Sequence, residues 1–122
     1  MKVIGYSRVV PAEDADVALK HHRERIESYC SNKSLTLVNY FEEQISGDTA
    51  YGATRPALME AISNLGDGMA LVVVRLNRLS GQKAILAPII EAIENKGARV
   101  IAVQGPATLA ELSSTLEVTS RD

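Results

Sequence analysis

The chain has 122 residues but one cysteine, Cys30, so no internal disulfide can form and no thiolate cluster can hold a metal. Tryptophan is absent and aromatics make up 4% of the residues, which argues against a nucleic-acid surface built on stacked rings. There is no basic excess either: the net charge is −2 and the pI about 5.7, so the chain does not coat DNA through bulk charge. No apolar run approaches the ~18 residues of a membrane span. No signal-like segment precedes the first apolar run, so a cytoplasmic protein without a membrane partner is expected. What is present is 46% hydrophobic and 23% charged, enough for one domain with a real core.

Apolar patterning divides the chain into alternating units. Lys2 to Ser7 is a short apolar run that predicts a strand. Over residues 12 to 31, Ala15, Ala18, Leu19, His22, Ile26, Tyr29 and Cys30 recur at helical spacing, with Glu13, Asp14 and Asp16 in the expected first turn. On this pattern Cys30 is a packing residue, and His21 and His22 are solvent-facing or packed rather than metal ligands. Leu35 to Phe41 predicts a second strand, and Pro56 suits the first turn of a short helix carrying Leu58, Ile62 and Leu65.

The run Met69 to Val74 is apolar throughout, which predicts a parallel strand buried on both faces. A helix over 82 to 96 follows, closed by Gly97 and kinked or shortened by Pro88, and then a strand from Arg99 to Val103. Such alternation implies a three-layer, flavodoxin-like α/β domain. Its mostly parallel sheet would have four or five strands in the order 2-1-3-4, with helices on both faces. Residues 1–105 form that domain, and 106–122 would be a short helix and tail.

Ligands of open parallel sheets bind beyond the carboxyl ends of the strands. Three strands deliver arginine there: Arg8 after the first, Arg55 closing the loop after the second, Arg75 and Arg78 after the third. The same loops bring Glu43, Ser46, Asn77 and Ser80. Guanidinium forks match phosphate oxygens and keep their proton, so their convergence suggests a phosphate or phosphodiester. The alternative is solvated surface. A phosphate-accepting signalling domain would need acids where Arg8 and Arg75 stand. No glycine-rich nucleotide loop follows any strand. No cofactor or metal is expected.

In order, "IGYSRVV", "ISG", "RPAL" and "VVVRLNRLSG" resemble the catalytic domain of the serine recombinases, the resolvase and invertase family. The resemblance runs from Met1 to about Val103. Each motif is short, and together in this order they are specific. The resemblance implies site-specific DNA recombination, with Arg8, Ser46, Arg55 and Arg78 around the scissile phosphate; Glu43, Arg75 and Asn77 join Arg8, Arg55 and Arg78 as the expected phosphate contacts. Glu43 takes the place of an aspartate and keeps its charge; Asn77 takes the place of another and loses it.

Two departures bear on activity. The nucleophilic serine of the family falls on Val10, and a later arginine falls on Gly81. Ser7 is a poor substitute, because side chains alternate along a strand and it points away from Arg8. Only 19 residues follow Val103, too few for the family's long dimer helix and DNA-binding domain. The expectation is a recombinase-like domain impaired in strand cleavage, contacting DNA weakly when alone and forming homodimers or associating with an active recombinase. Two alternatives stay open: a working fragment with another nucleophile, and a protein-interaction module that keeps the fold.

Overall fold

A computed structural model of the protein describes residues 1–45 and 55–105. The elements, in chain order, are β1 (Lys2–Val9), α1 (Ala15–Asn32), β2 (Thr36–Gln44), α2 (Pro56–Ser63), β3 (Ala70–Val73), a 3-10 turn (Leu76–Arg78), α3 (Lys83–Glu94) and β4 (Arg99–Ala102). The four strands pair in parallel in the order β2-β1-β3-β4, as the alternation predicts. The expected tail over 106–122 and the candidate Ser46 lie outside the described residues.

The central position of β1 and β3 follows from their composition. All four residues of β3 are buried, and so is β1 from Val3 to Val9. On one face, Val3, Ala70 and Val72 meet Ile26 and Cys30 of α1. On the other, Ile4, Tyr6, Leu71 and Val73 pack under Leu58 and Ile62 of α2 and Leu86, Ile89 and Ile93 of α3. A third cluster, Val9 with Ala15 and Leu19, pins the start of α1 to the end of β1.

Several boundaries differ from the sequence pattern, each for a local reason. The first helix begins at Ala15, so Glu13 and Asp14 precede it and only Asp16 sits in its first turn. The second strand extends to Gln44 because β1 offers it ladder partners as far as Val9. α3 runs through Pro88, which lies on the exposed side, where the carbonyl left without a donor can face water. Gly97 closes this unit as expected, with φ +74° and its position against Asp67 leaving no room for a Cβ.

β2 is an edge strand, and its edge is interrupted. The β1–β2 register shifts between Val3 and Ile4, whose partners are Leu37 and Asn39, so Val38 is an extra residue. Beside it the Asn39 side-chain carbonyl accepts the Tyr40 N–H at 3.0 Å. A bulge of this kind blunts an edge that another chain could otherwise extend.

Tyr40 is held tightly on the α1 face. Its hydroxyl hydrogen-bonds the Ser7 hydroxyl, and the Arg23 guanidinium lies 4.6 Å from its ring centroid. Burial, opposed by the Ser7 bond, pushes its phenol up to about 12. A Cβ on Gly5 would come within 2.7 Å of Tyr40 Cε2 and 3.3 Å of Ile26 Cγ2. Gly5→Ala is therefore expected to destabilise the domain by about 1–3 kcal/mol, the usual cost of overpacking, as measured by urea unfolding. Unchanged stability would mean that the Tyr40 ring is not fixed where it stands.

Candidate functional site

The carboxyl edge of the sheet is built around two buried cations. Arg8 was expected at the rim, past the strand. It lies instead inside β1, with 1% of its surface exposed. A guanidinium is tolerated there only if its donors are met. Nε donates to the Arg78 carbonyl at 2.9 Å, Nη2 to the Asn77 carbonyl at 2.9 Å, and Nη1 to the Ile45 carbonyl at 3.1 Å. One side chain thus ties β1 to the end of β2 and to the 3-10 turn after β3.

Arg55 is also wholly buried, at the residue preceding α2. Its Nη1 donates to the Leu79 carbonyl, and Nη2 donates to the Tyr6 hydroxyl at 2.8 Å and to the Arg78 carbonyl at 3.4 Å. Arg8 and Arg55 therefore meet at a single acceptor, the Arg78 oxygen. The backbone Asn77–Leu79 directs three successive carbonyls inward onto them. That turn would be costly to bury without cationic donors.

Glu43 supplies the balancing charge. Its Oε2 lies 3.8 Å from Arg55 Nε and accepts the Tyr6 hydroxyl at 2.5 Å. The same carboxylate accepts the N–H groups of Ala57 and Leu58, at 3.1 and 3.2 Å, and so caps the N-terminus of α2. An anion at a helix start is favoured by the helix dipole. Burial, and a smaller effect of the Glu43 bond, push the Tyr6 phenol far above its ordinary value against the pull of Arg55. Glu43, named above as a phosphate contact, thus faces Arg55, Tyr6 and a helix end.

Arg78 and Asn77 are half-buried and nearer solvent. Arg78 Nη1 donates back to the Arg8 carbonyl at 3.2 Å, and its Nε to the Asn77 side-chain oxygen at 3.0 Å. Arg75 is exposed, beside Gly105. Ser80 is buried and its hydroxyl accepts the Gln82 N–H at 3.0 Å. Val10 lies just past β1 and is 57% exposed.

The sheet thus brings Arg8, Arg55, Arg78, Asn77 and Glu43 together. Among the described residues the group holds three guanidiniums against one carboxylate. Tyr6 carries no site signal of its own in the sequence, although period-2 alternation puts it on the same strand face as Arg8. Among the described residues, no group of three His, Cys, Asp or Glu is placed to hold a metal ion. Among the same residues, no helix is long and apolar enough to cross a membrane.

The model of the resolvase N-terminal domain matches residues 3–118. The chain belongs to that family. Among solved structures, a resolvase family site-specific recombinase from Streptococcus pneumoniae is 22% identical, with a TM-score of 0.71 over 97% of this chain and 87% of that one. The C-terminal catalytic domain of ISC1926 TnpA, an IS607-like serine recombinase, aligns with a TM-score of 0.70 at 16% identity, over 95% of this chain and 78% of that one. The N-terminal catalytic domain of TP901-1 integrase gives 0.66 at 17%, over 98% and 92%. No curated protein matches. The four-stranded parallel sheet is the resolvase catalytic-domain fold, and the domain is related to serine recombinases and site-specific recombination.

If the Glu43 carboxylate compensates buried Arg55, removing it leaves an unpaired cation. Glu43→Ala is expected to cost about 3–5 kcal/mol, the range for breaking a buried pair. Tyr6→Phe, which leaves the Glu43–Arg55 pair and the α2 cap in place, should cost only about 1–2 kcal/mol. Equal losses in urea denaturation would show that the charge pair does not hold this edge.

Proposed function

We propose that this resolvase-family domain contacts DNA phosphate at the Arg78 edge but does not cleave the strand. Its role is then exerted through association, with a second copy of itself or with an active recombinase. The observation that carries this reading is Val10. On the family pattern it occupies the nucleophile position, and it offers two methyl groups where a hydroxyl would have to attack phosphorus.

Other residues support the reading. Ser7 is engaged with the Tyr40 hydroxyl on the α1 face, while Arg8 serves the opposite face. Gly81 stands where the family pattern has a further arginine, so one cation that would offset charge in the transition state is missing. Such electrostatic donors are typically worth ~3–4 kcal/mol each. Val10→Ser alone would thus leave the rate roughly 10²–10³ down. The Arg8 and Arg55 guanidiniums brace the backbone and add positive potential, and Arg78, with Arg75, is the group nearest an incoming phosphate. Ser46 matches an auxiliary serine of the family pattern and not its nucleophile, and a hydroxyl misplaced by about 1 Å can cost ~10²-fold.

Two measurements test this. Incubation with supercoiled DNA carrying a recombination site, followed by a detergent quench, is expected to leave no protein attached. Attachment mapped to Ser46 or another serine would instead identify a working enzyme with a different nucleophile. Binding of a short duplex is expected to be weak, non-specific and strongly weakened by salt. Arg78→Gln should lower the slope of log affinity against log salt by about one. Tight, sequence-specific binding at physiological salt would overturn the proposal.

A further inference from the structure

The carboxyl edge of the sheet continues past β3 toward β4. The ladder between these strands runs beyond Ala102: the Val103 N–H donates to the Val73 carbonyl at 2.9 Å, and the Gln104 N–H to the Val74 carbonyl at 2.8 Å. Gln104 is thereby fixed beside the end of β3, where Arg75 follows. Gly105 comes next with φ +75°, and a Cβ there would stand 3.1 Å from Arg75 Nη1. The Arg75 guanidinium thus lies against bare main chain at the end of β4.

On the other side of Gln104 is α1, whose Arg25 donates from Nη1 to the Gln104 side-chain oxygen at 2.6 Å. These contacts cross the end of the sheet from one face to the other. Arg75 is extended, with φ −144° and ψ 155°, and so follows the alternation of Leu71 and Val73 toward the α2 and α3 face. Arg25 belongs to the helix that covers the opposite face. Gln104 and Gly105 join the two.

Neither guanidinium is neutralised. Both residues are exposed, and among the described residues the ion pairs are Arg23–Glu27 and Arg55–Glu43. Glu24 precedes Arg25 and lines a cleft with it without pairing. The contrast with Arg23, two residues earlier on the same helix, is direct: Arg23 is matched by a carboxylate four residues on, Arg25 by a neutral amide. An amide orients the guanidinium fork and leaves its charge whole. The cleft between α1 and the end of β4 adds further neutral donors, the Ser28 hydroxyl and the Asn32 amide. Uncompensated forks set among neutral donors suit the phosphates of a nucleic-acid backbone.

We propose that Arg25, held beside Arg75 through Gln104, is a further phosphate contact of this domain, placing a DNA backbone across the β4 end of the sheet. This rests on the reading of the Arg78 edge as a phosphate-binding site, and extends it to a residue outside the motifs that carry the family resemblance.

The test is binding of a short duplex to the full chain, read as the slope of log affinity against log salt. Arg25→Gln should lower the slope by about one, as should Arg75→Gln, and Arg25→Lys, which keeps the charge, should retain it. Lys96→Gln removes the same charge at the opposite end of the sheet, where Lys96 Nζ donates to the Ser63 carbonyl at 3.4 Å, and should leave the slope unchanged. A slope unmoved by Arg25→Gln but lowered by Arg78→Gln would overturn the role of Arg25 and leave the Arg78 edge standing. Equal falls in Arg25→Gln and Lys96→Gln, or in Arg25→Gln and Arg25→Lys, would overturn it as well, because net charge or folding would then account for the loss. Absence of duplex binding at every salt concentration would overturn both readings.

Discussion

The carboxyl edge of this domain depends on guanidinium groups that satisfy backbone carbonyls. Arg8 and Arg55 bring two positive charges out of water, and the chain arranges Asn77, Arg78, Leu79 and Ile45 to receive them. Desolvating two cations is expensive, and several charge-assisted hydrogen bonds with one carboxylate are the compensation. Ile45 at the end of β2 and the 3-10 turn after β3 converge on one pair of side chains, and the start of α2 joins them through Glu43.

This arrangement assigns different work to residues that look equivalent in the sequence. Arg8 and Arg55 point their donors at protein oxygens and shape the surface from beneath. Arg78 contributes its own carbonyl to both of them, and its side chain reaches back to Arg8 from the wetter side. The carbonyl half of Arg78 is thus structural, and on the proposed reading its guanidinium is the part that would meet an oxyanion. On that reading the edge keeps a phosphate-binding character without the attacking hydroxyl, since binding and bond cleavage use different atoms and Val10 would remove only the second.

Much of the fold was legible because its signals are local. The uninterrupted apolar run before Arg75 reads as a strand buried on both faces, and β3 is that strand. The periodicity of Ala15, Leu19, Ile26 and Cys30 marks the buried face of α1. The convergence of Arg8, Arg55 and Arg78 on one edge was legible from strand ends and motif order. The burial of Arg8 was not, since the carbonyls that make it tolerable come from residues 37 to 70 positions away. Nothing local marks them. The same holds for Glu43, whose acidic character suggested the site but whose partners, a helix start and a buried guanidinium, belong to later elements.

The Arg8 and Arg55 donors are spent on the protein's own backbone and on Tyr6. Hydrogen exchange of the arginine Nε–H groups, observed directly by ¹⁵N-resolved NMR, tests this most closely. The Nε–H of Arg8, held by the Arg78 carbonyl at 2.9 Å, is expected to exchange more than about 100-fold more slowly than that of exposed Arg99, through opening of the sheet edge. An Arg8 Nε–H that exchanged as fast as that of Arg99 would mean that the guanidinium is not held by these carbonyls, and the account of this edge would fail.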